Sequence, residues 1–255
     1  MLEKDRLYKE ADNAINWIKE YVEKAGAKGV VIGNSGGKDS AVVIAMASKA
    51  LGADKVLTVS MPCQSIATDF DDAKLVADTF NTRFIKIDLT ETFEIMMNEV
   101  NRALEDTQVS VESCVNVKPR LRMTTLYSIA QTYGYLVLGT GNLCEAMVGY
   151  TTKWGDSASD FNPIGNFTVD EVLAIGAYLG VPEKILKKAP ADGLGKQTDE
   201  EKMGIKYFQI AEMIETGNTD EKAKVEILRR YNASKHKRTL VPVYKFDRKN
   251  HLLDY

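Results

Sequence analysis

The sequence predicts an α/β protein: three α/β/α layers around a mainly parallel central sheet, with extra helices towards the C-terminus. Three observations predict it. Short β-branched runs alternate with apolar stripes at helical spacing as far as Leu104, the pattern of repeated strand–helix–strand units. The first strand passes through a glycine-rich turn directly into a helix. And a chain of 255 residues, 44% hydrophobic and 27% charged, has the composition of a globular protein with a sizeable core. Residues 1–255 are expected to form one domain.

Each element has its own signal. Leu7, Ala11, Ala14, Ile15, Ile18 and Val22 form one stripe of an N-terminal helix. Gly29-Val30-Val31-Ile32-Gly33 is a β-branched run bounded by glycines and reads as a buried strand. Residues 40–51 are an apolar helix stopped near Gly52, and 55–60 are a second strand closed by Met61-Pro62. A helix over 68–80 carries Phe70, Ala73, Ala77 and Phe80 on one face. A third strand over 83–89 and a helix over 91–104 follow. A helix is expected over 120–133 and a further buried strand over 135–139.

The texture then changes. Residues 149–166 are rich in Gly, Asp, Ser, Thr and Asn without an apolar period, which predicts a long functional loop closing over bound substrate. A helix resumes over 169–179. Thr198-Asp199-Glu200-Glu201 is a capping box, and Met203, Tyr207, Ile210 and Ile214 continue one stripe to a stop at Gly217. The last helix is expected over 220–231, before a mixed tail.

Composition excludes several functions. With 33 basic and 36 acidic side chains the net charge is −3, which is not the basic surplus of a nucleic-acid reader. Cys63, Cys114 and Cys144 are widely spaced, with no CxxC pair, so reduced structural thiols are expected in place of a disulfide framework or zinc site. The charged start lacks a signal-peptide core and no apolar run spans a membrane, so a soluble, cytoplasmic protein is expected.

The chemistry concentrates in Gly33-Asn34-Ser35-Gly36-Gly37-Lys38-Asp39-Ser40, where backbone N–H groups and a helix N-terminus can face an anion. The Walker pattern fails because Asp39 follows Lys38, and the dinucleotide fingerprint fails on glycine spacing. The remaining Ser-Gly-Gly-Lys-Asp-Ser resembles the SGGxDS loop of the ATP pyrophosphatases, which split ATP between its α and β phosphates. Ser35, Ser40 and the glycine amides suit the β and γ phosphates. Asp39 suits the Mg²⁺ that neutralises them.

Further motifs follow in order: Asn116-Val117-Lys118-Pro119-Arg120-Leu121-Arg122-Met123, Leu138-Gly139-Thr140-Gly141-Asn142 with Glu145, and Gly149-Tyr150-Thr151-Thr152-Lys153-Trp154-Gly155-Asp156 with Asp160. In these the chain resembles the ammonia-dependent NAD synthetases, an adenine nucleotide alpha hydrolase-like fold. Thr198-Asp199-Glu200 and His236-Lys237-Arg238 match as well.

The resemblance implies a homodimeric ligase that amidates deamido-NAD with ammonia at the expense of ATP. It implies that Gly33, Asn34, Ser35, Gly36, Gly37, Lys38, Asp39, Ser40 and Thr140 bind ATP, and that Asp39 and Glu145 hold Mg²⁺. It places Arg120, Lys153, Asp160, His236 and Lys237 around deamido-NAD, with Asp39 and Lys153 as the catalytic pair. Taken singly, Glu145 reads first as a first-turn helix acid and His236 as a surface histidine, and Arg120, Lys153 and Asp160 also read as solvated surface groups. Two positions depart from the family pattern. Val169 stands where a lysine contacting ATP is usual, and Ala191 where a hydroxyl is usual; Lys38 or Lys196 are the cations able to compensate. Another adenylating ATP pyrophosphatase, or a non-catalytic nucleotide-binding module, is the alternative.

Overall fold

The computed structural model describes residues 2–65, 67–188 and 198–244. Pro190 to Leu194, with the departure at Ala191, and Lys196 lie outside the described residues. Four parallel strands form the sheet: β1 (Val30–Gly33), β2 (Val56–Ser60), β3 (Arg83–Lys86) and β4 (Leu136–Val137), in the order β3-β2-β1-β4. Strand order therefore runs outward from β1 to β3 on one side and jumps to β4 on the other. That reversal opens a crevice beyond the carboxyl ends of β1 and β4, the usual ligand position in such sheets.

Period-two alternation sorts β1 between two cores. Val30 and Ile32 face a layer built by α1 (Lys4–Lys24), α2 (Lys38–Leu51), Val76 of α3 (Ala67–Thr79) and α7 (Val169–Tyr178). Val31 faces the opposite layer, with Leu57, Val59, Phe93 and Met97 of α4 (Thr90–Ala103), and Val117 and Ala130 of α5 (Val111–Tyr133). The expected stripe on α1 is what it buries: Leu7, Ala11, Ile15, Ile18 and Val22. A third core joins α6 (Leu143–Val148), α9 (Asp199–Met203), α10 (Tyr207–Thr216) and α11 (Glu221–Ala233) to Val169. One short helix, α8 (Glu183–Leu186), links α7 to the segment before α9.

Several boundaries differ from expectation, each for a physical reason. The α2 helix begins at Lys38 and not at residue 40, so the last residues of the phosphate-loop motif form its first turn. The third strand stops at Lys86 in place of residue 89, because its partner β2 ends at Ser60 and runs into Pro62; only the Ile87 and Leu89 N–H groups still reach across, to Ser60 O and Pro62 O. Helix α5 starts at Val111, nine residues before the expected start at Arg120, with Pro119 inside it. Ser110 Oγ caps it by accepting from Ser113 N, and burial of Val117 and Ala130 outweighs the missing proline N–H.

The fourth strand is shorter than the expected 135–139 because its outer edge is closed by the 149–166 loop. Val137 N donates to Asp160 Oδ2 at 2.7 Å, Asp160 N donates to Val137 O, and Gly139 N donates to Phe161 O. The single expected helix over 198–216 is two: Gly204, at φ +70, ends α9 in a left-handed cap. The capping box over Thr198 and Glu201 is present. Helix α6 is the short helix whose first turn holds Glu145, and Asn142 and Glu145 form a full capping box around that turn. None of Cys63, Cys114 and Cys144 is in a disulfide. Among the described residues no helix is long and apolar enough to cross a membrane.

Candidate active site

The 33–40 loop leaves the carboxyl end of β1 and is held from below by α3. Asn34 is 2% exposed, and its Nδ2 donates to Ala73 O at 2.8 Å while its Oδ1 accepts from Gly36 N at 3.2 Å. Asn34 therefore shapes the loop, and its side chain is committed to protein. Gly36 has φ +73, and a Cβ there would lie 2.6 Å from Asp69 O and 2.8 Å from Asp72 Cβ. Ser35 Oγ accepts from Gly37 N and lies 3.1 Å from Ser40 Oγ. Gly37 is the N-cap of α2, and no side chain caps that helix. Its first N–H groups are thus presented to the crevice, where they and the helix dipole suit phosphate oxygens.

The floor of the loop is itself braced by charge. Lys188 Nζ donates to Asp72 Oδ2 at 2.7 Å and to Asp69 Oδ1 at 2.9 Å, and Lys184 Nζ lies 2.6 Å from Asp72 Oδ1. Burial raises the Asp72 carboxyl, but hydrogen bonds from Lys184 and Lys188 outweigh it and hold the group below its ordinary value. Asp72→Asn should therefore lower unfolding stability by about 1–2 kcal/mol at neutral pH. The folded-state value lies below the unfolded one, so the contribution is present above about pH 4 and is lost as pH falls through the folded value. Urea unfolding of both proteins at neutral and acid pH measures this; a difference that does not shrink in acid contradicts it.

Beyond the loop, the crevice brings two carboxylates together. Asp39 lies in the first turn of α2 and Glu145 in the first turn of α6, so both sit at helix N-termini. Asn142, 1% exposed, lies between them: its Nδ2 donates to Asp39 Oδ1 at 3.2 Å, its Oδ1 accepts from Glu145 N, and its backbone N donates to Glu145 Oε2 at 2.9 Å. Burial first, and then the charge of Asp39, push the Glu145 carboxyl far above the ordinary range. A pair that strains against its own ionisation is relieved by a cation. Among the described residues no group of three or more His, Cys, Asp or Glu is gathered for a metal ion. Two carboxylates are the donor set that Mg²⁺ takes when substrate phosphates and water complete its shell, so the residues fit that ion.

Lys38 is 7% exposed, with Nζ 3.0 Å from Asp39 Oδ2 and 5.6 Å from the Tyr207 ring centroid. Burial lowers its basicity, but Asp39, then Glu145 and Asp199, more than reverse that and leave it raised. Tyr150 Oη donates to Asp199 Oδ1 at 3.1 Å, which ties α9 to the residues after α6. Val169 is buried in the C-terminal core, so no cation reaches the crevice from that position.

The remaining expected residues are distributed around the 149–166 loop. Thr140 is half-buried at the carboxyl end of β4. Arg120 is exposed on α5, and its Nε donates to Lys153 O at 3.3 Å. Lys153 Nζ lies over the exposed Trp154 ring. Asp160 is committed to the sheet edge: besides Val137 N, its Oδ1 accepts from Tyr127 Oη at 3.3 Å. Lys237 Nζ donates to Gly149 O and Thr151 O, and burial lowers its basicity. His236 is exposed on the turn before it. A cavity of about 240 Å³ separates the 139–142 turn from this loop, lined by Gly141, Asn142, Asp156, Ser159 and Lys237 among others. The sequence assigns no individual role to Asn142, Asp72, Asp199 or Tyr207, although Asn142 and Asp199 lie within matched motifs; for Asn142 the capping box with Glu145 is a readable signal, whereas the others depend on long-range contacts.

A parallel α/β/α layering with an uncapped helix N-terminus and a carboxylate pair at its switch point defines a nucleotide-binding α/β protein. Residues 10–248 match the model of the family described as NAD synthase, and the chain belongs to that family. It is 40% identical over 233 residues to the NH(3)-dependent NAD(+) synthetase of Carboxydothermus hydrogenoformans, covering 91% of this chain and 95% of that one. It is 41% identical over 230 residues to the protein of the same name from Mesoplasma florum, covering 89% and 92%. Among solved structures it resembles NMN synthetase from Francisella tularensis, with TM-score 0.87 and 34% identity over 94% of this chain and 99% of that one. It also resembles the NH3-dependent NAD synthetase from Campylobacter jejuni, with TM-score 0.78 and 25% identity over 96% and 100%.

Proposed function

We propose that residues 1–255 act as one catalytic domain, a C–N ligase that amidates deamido-NAD with ammonia, consuming ATP and releasing AMP and pyrophosphate. The observation that carries this is the meeting of Asp39 and Glu145 at the mouth of the 33–40 loop, in a chain of the NAD synthase family. An oxygen of the pyridine carboxylate attacks the ATP α-phosphorus, and the bond to pyrophosphate breaks. Ammonia then attacks the activated carboxyl carbon, AMP leaves with the former carboxylate oxygen, and nitrogen loses a proton.

The chain's own groups fit the first step. The Ser35 and Ser40 hydroxyls and the α2 N–H groups hold the phosphates that leave, together with Thr140. Asp39 and Glu145 hold Mg²⁺, which when bound supplies charge neutralisation to the departing pyrophosphate. Arg120, Lys153, Asp160, His236 and Lys237 frame the dinucleotide, Lys153 contributing charge at the reacting carboxylate. The enzyme works in the cytoplasm as a homodimer; exposed Ile95, Met96, Val111 and Val115 on α4 and α5 support a second copy there.

Likeness to the NMN synthetase favours a second reading, in which the mononucleotide takes the place of the dinucleotide. One assay separates them: protein, ATP, Mg²⁺ and ammonium with either deamido-NAD or nicotinate mononucleotide, followed for AMP and the amide. Turnover of the mononucleotide alone transfers the activity to it, and ADP in place of AMP excludes both. Lys237→Met removes the donor shared by Gly149 O and Thr151 O. It should raise KM for the dinucleotide and increase proteolysis within 149–166 several-fold. Substrate plus ATP should protect that loop in the wild type; cleavage insensitive to both ligands and to the substitution contradicts its role as a closing segment.

A further inference from the structure

We propose that Lys38 is a placeholder cation: its ammonium holds Asp39 until a divalent ion arrives with the nucleotide, and then moves onto the phosphates. The inference rests on the metal role assigned above to Asp39 and Glu145. Both Asp39 oxygens are engaged, Oδ2 by Lys38 Nζ at 3.0 Å and Oδ1 by Asn142 Nδ2 at 3.2 Å. Lone pairs remain on both oxygens, but a divalent ion that takes them comes close to the Lys38 ammonium and is repelled by it, whereas the neutral Asn142 amide does not oppose it.

Asn142 is the harder to move. It is 1% exposed and caps α6, so turning its amide away would release both the Glu145 N–H and the Asp39 contact. Lys38 has four flexible methylenes, and its positive charge is repelled by the arriving ion. The groups that face it are Asp39 of α2, Glu145 of α6, Asp199 of α9 and the Tyr207 ring of α10. Two of those carboxylates are the ones the metal would take, and the ammonium loses most of its attraction when it arrives.

The phosphates offer the displaced ammonium a compensating destination. Lys38 is the first residue of α2, so phosphates on that helix N-terminus lie within reach of its side chain. Metal binding without phosphates strands the ammonium. Metal binding with phosphates does not. Metal and nucleotide are thereby coupled, each raising the affinity of the other by the same factor.

The test measures Mn²⁺ binding directly by calorimetry, with and without an α,β-methylene ATP analogue, in wild type, Lys38→Met, Lys38→Gln and Lys38→Arg. Without nucleotide, both neutral variants should bind Mn²⁺ at least about tenfold more tightly than wild type, and the arginine variant within about threefold of it. The analogue should raise Mn²⁺ affinity in wild type by more than in the neutral variants. Equal nucleotide-free affinities in wild type and neutral variants that melt cooperatively overturn the inference and leave the metal assignment standing. Absence of Mn²⁺ binding in every protein, with the analogue present, overturns both.

Discussion

Replacing Asp39 by Asn should lower kcat for NAD formation by at least about a thousandfold, equivalent to about 4 kcal/mol of transition-state stabilisation. The amide keeps the size of the carboxylate and a carbonyl oxygen for the Asn142 Nδ2 contact. What it removes is the negative charge shared between the Lys38 ammonium and the proposed metal. Loss of that charge also leaves the buried Lys38 with only Glu145 and Asp199 as anionic neighbours, so some stability is lost too. The informative pair of measurements is AMP release per unit time and the thermal unfolding midpoint. A cooperative melt with activity reduced less than tenfold would show that the carboxylate pair is not where pyrophosphate is released.

Gly36→Ala should lower stability by about 3 kcal/mol and weaken ATP binding together. A left-handed conformation costs an L-residue about 1–2 kcal/mol, and overpacking costs about 1–3 kcal/mol. The added Cβ would meet Asp69 O at 2.6 Å and Ala73 N at 2.9 Å, and backbone atoms of a helix cannot turn aside. Relief requires the loop to lift off α3, which misplaces the α2 N–H groups. Gly37→Ala is the control. Its φ is −94 and its Cβ would lie 3.2 Å from Ser35 Oγ, the tip of a short side chain that can rotate. Urea midpoints at constant m-value separate the two. Equal destabilisation would mean that the close approach to α3 is not what demands glycine.

These two positions show how unevenly the site was legible. The Gly33 to Ser40 loop stood out because every signal that makes it is local: a β-branched strand, glycines for close approach, then an apolar helix. From local signals Glu145 is only an acid in a helix turn, and its pairing with Asp39 comes from the family resemblance. Its partnership with Asp39 is made by Asn142, whose two ends grip residues far apart in the chain. Asp160 illustrates the reverse. Read as a ligand residue, it spends both oxygens on Val137 N and Tyr127 Oη. Whatever it does for the dinucleotide, it does first by closing the edge of β4. The start of α5 at Val111 shows a third case: the cost of one proline in a helix is real, but tertiary burial of Val117 and Ala130 exceeds it.

By itself the sequence determined the layered parallel fold and the glycine-rich turn from β1 into α2, because periodicity, glycine placement and capping act within a few residues of chain; the family was legible through the resemblance of its motifs. Only the tertiary structure decided where β4 ends, that α5 runs through Pro119, and that α9 and α10 are separate. It also decided that Lys38, Asp39, Glu145, Asp199 and Tyr207 share one crevice. The physical reason is the same throughout. Local propensities are worth tenths of a kcal/mol to about one per residue, whereas a desolvated charge or a buried side chain is worth several, and those contacts join elements that the chain places far apart.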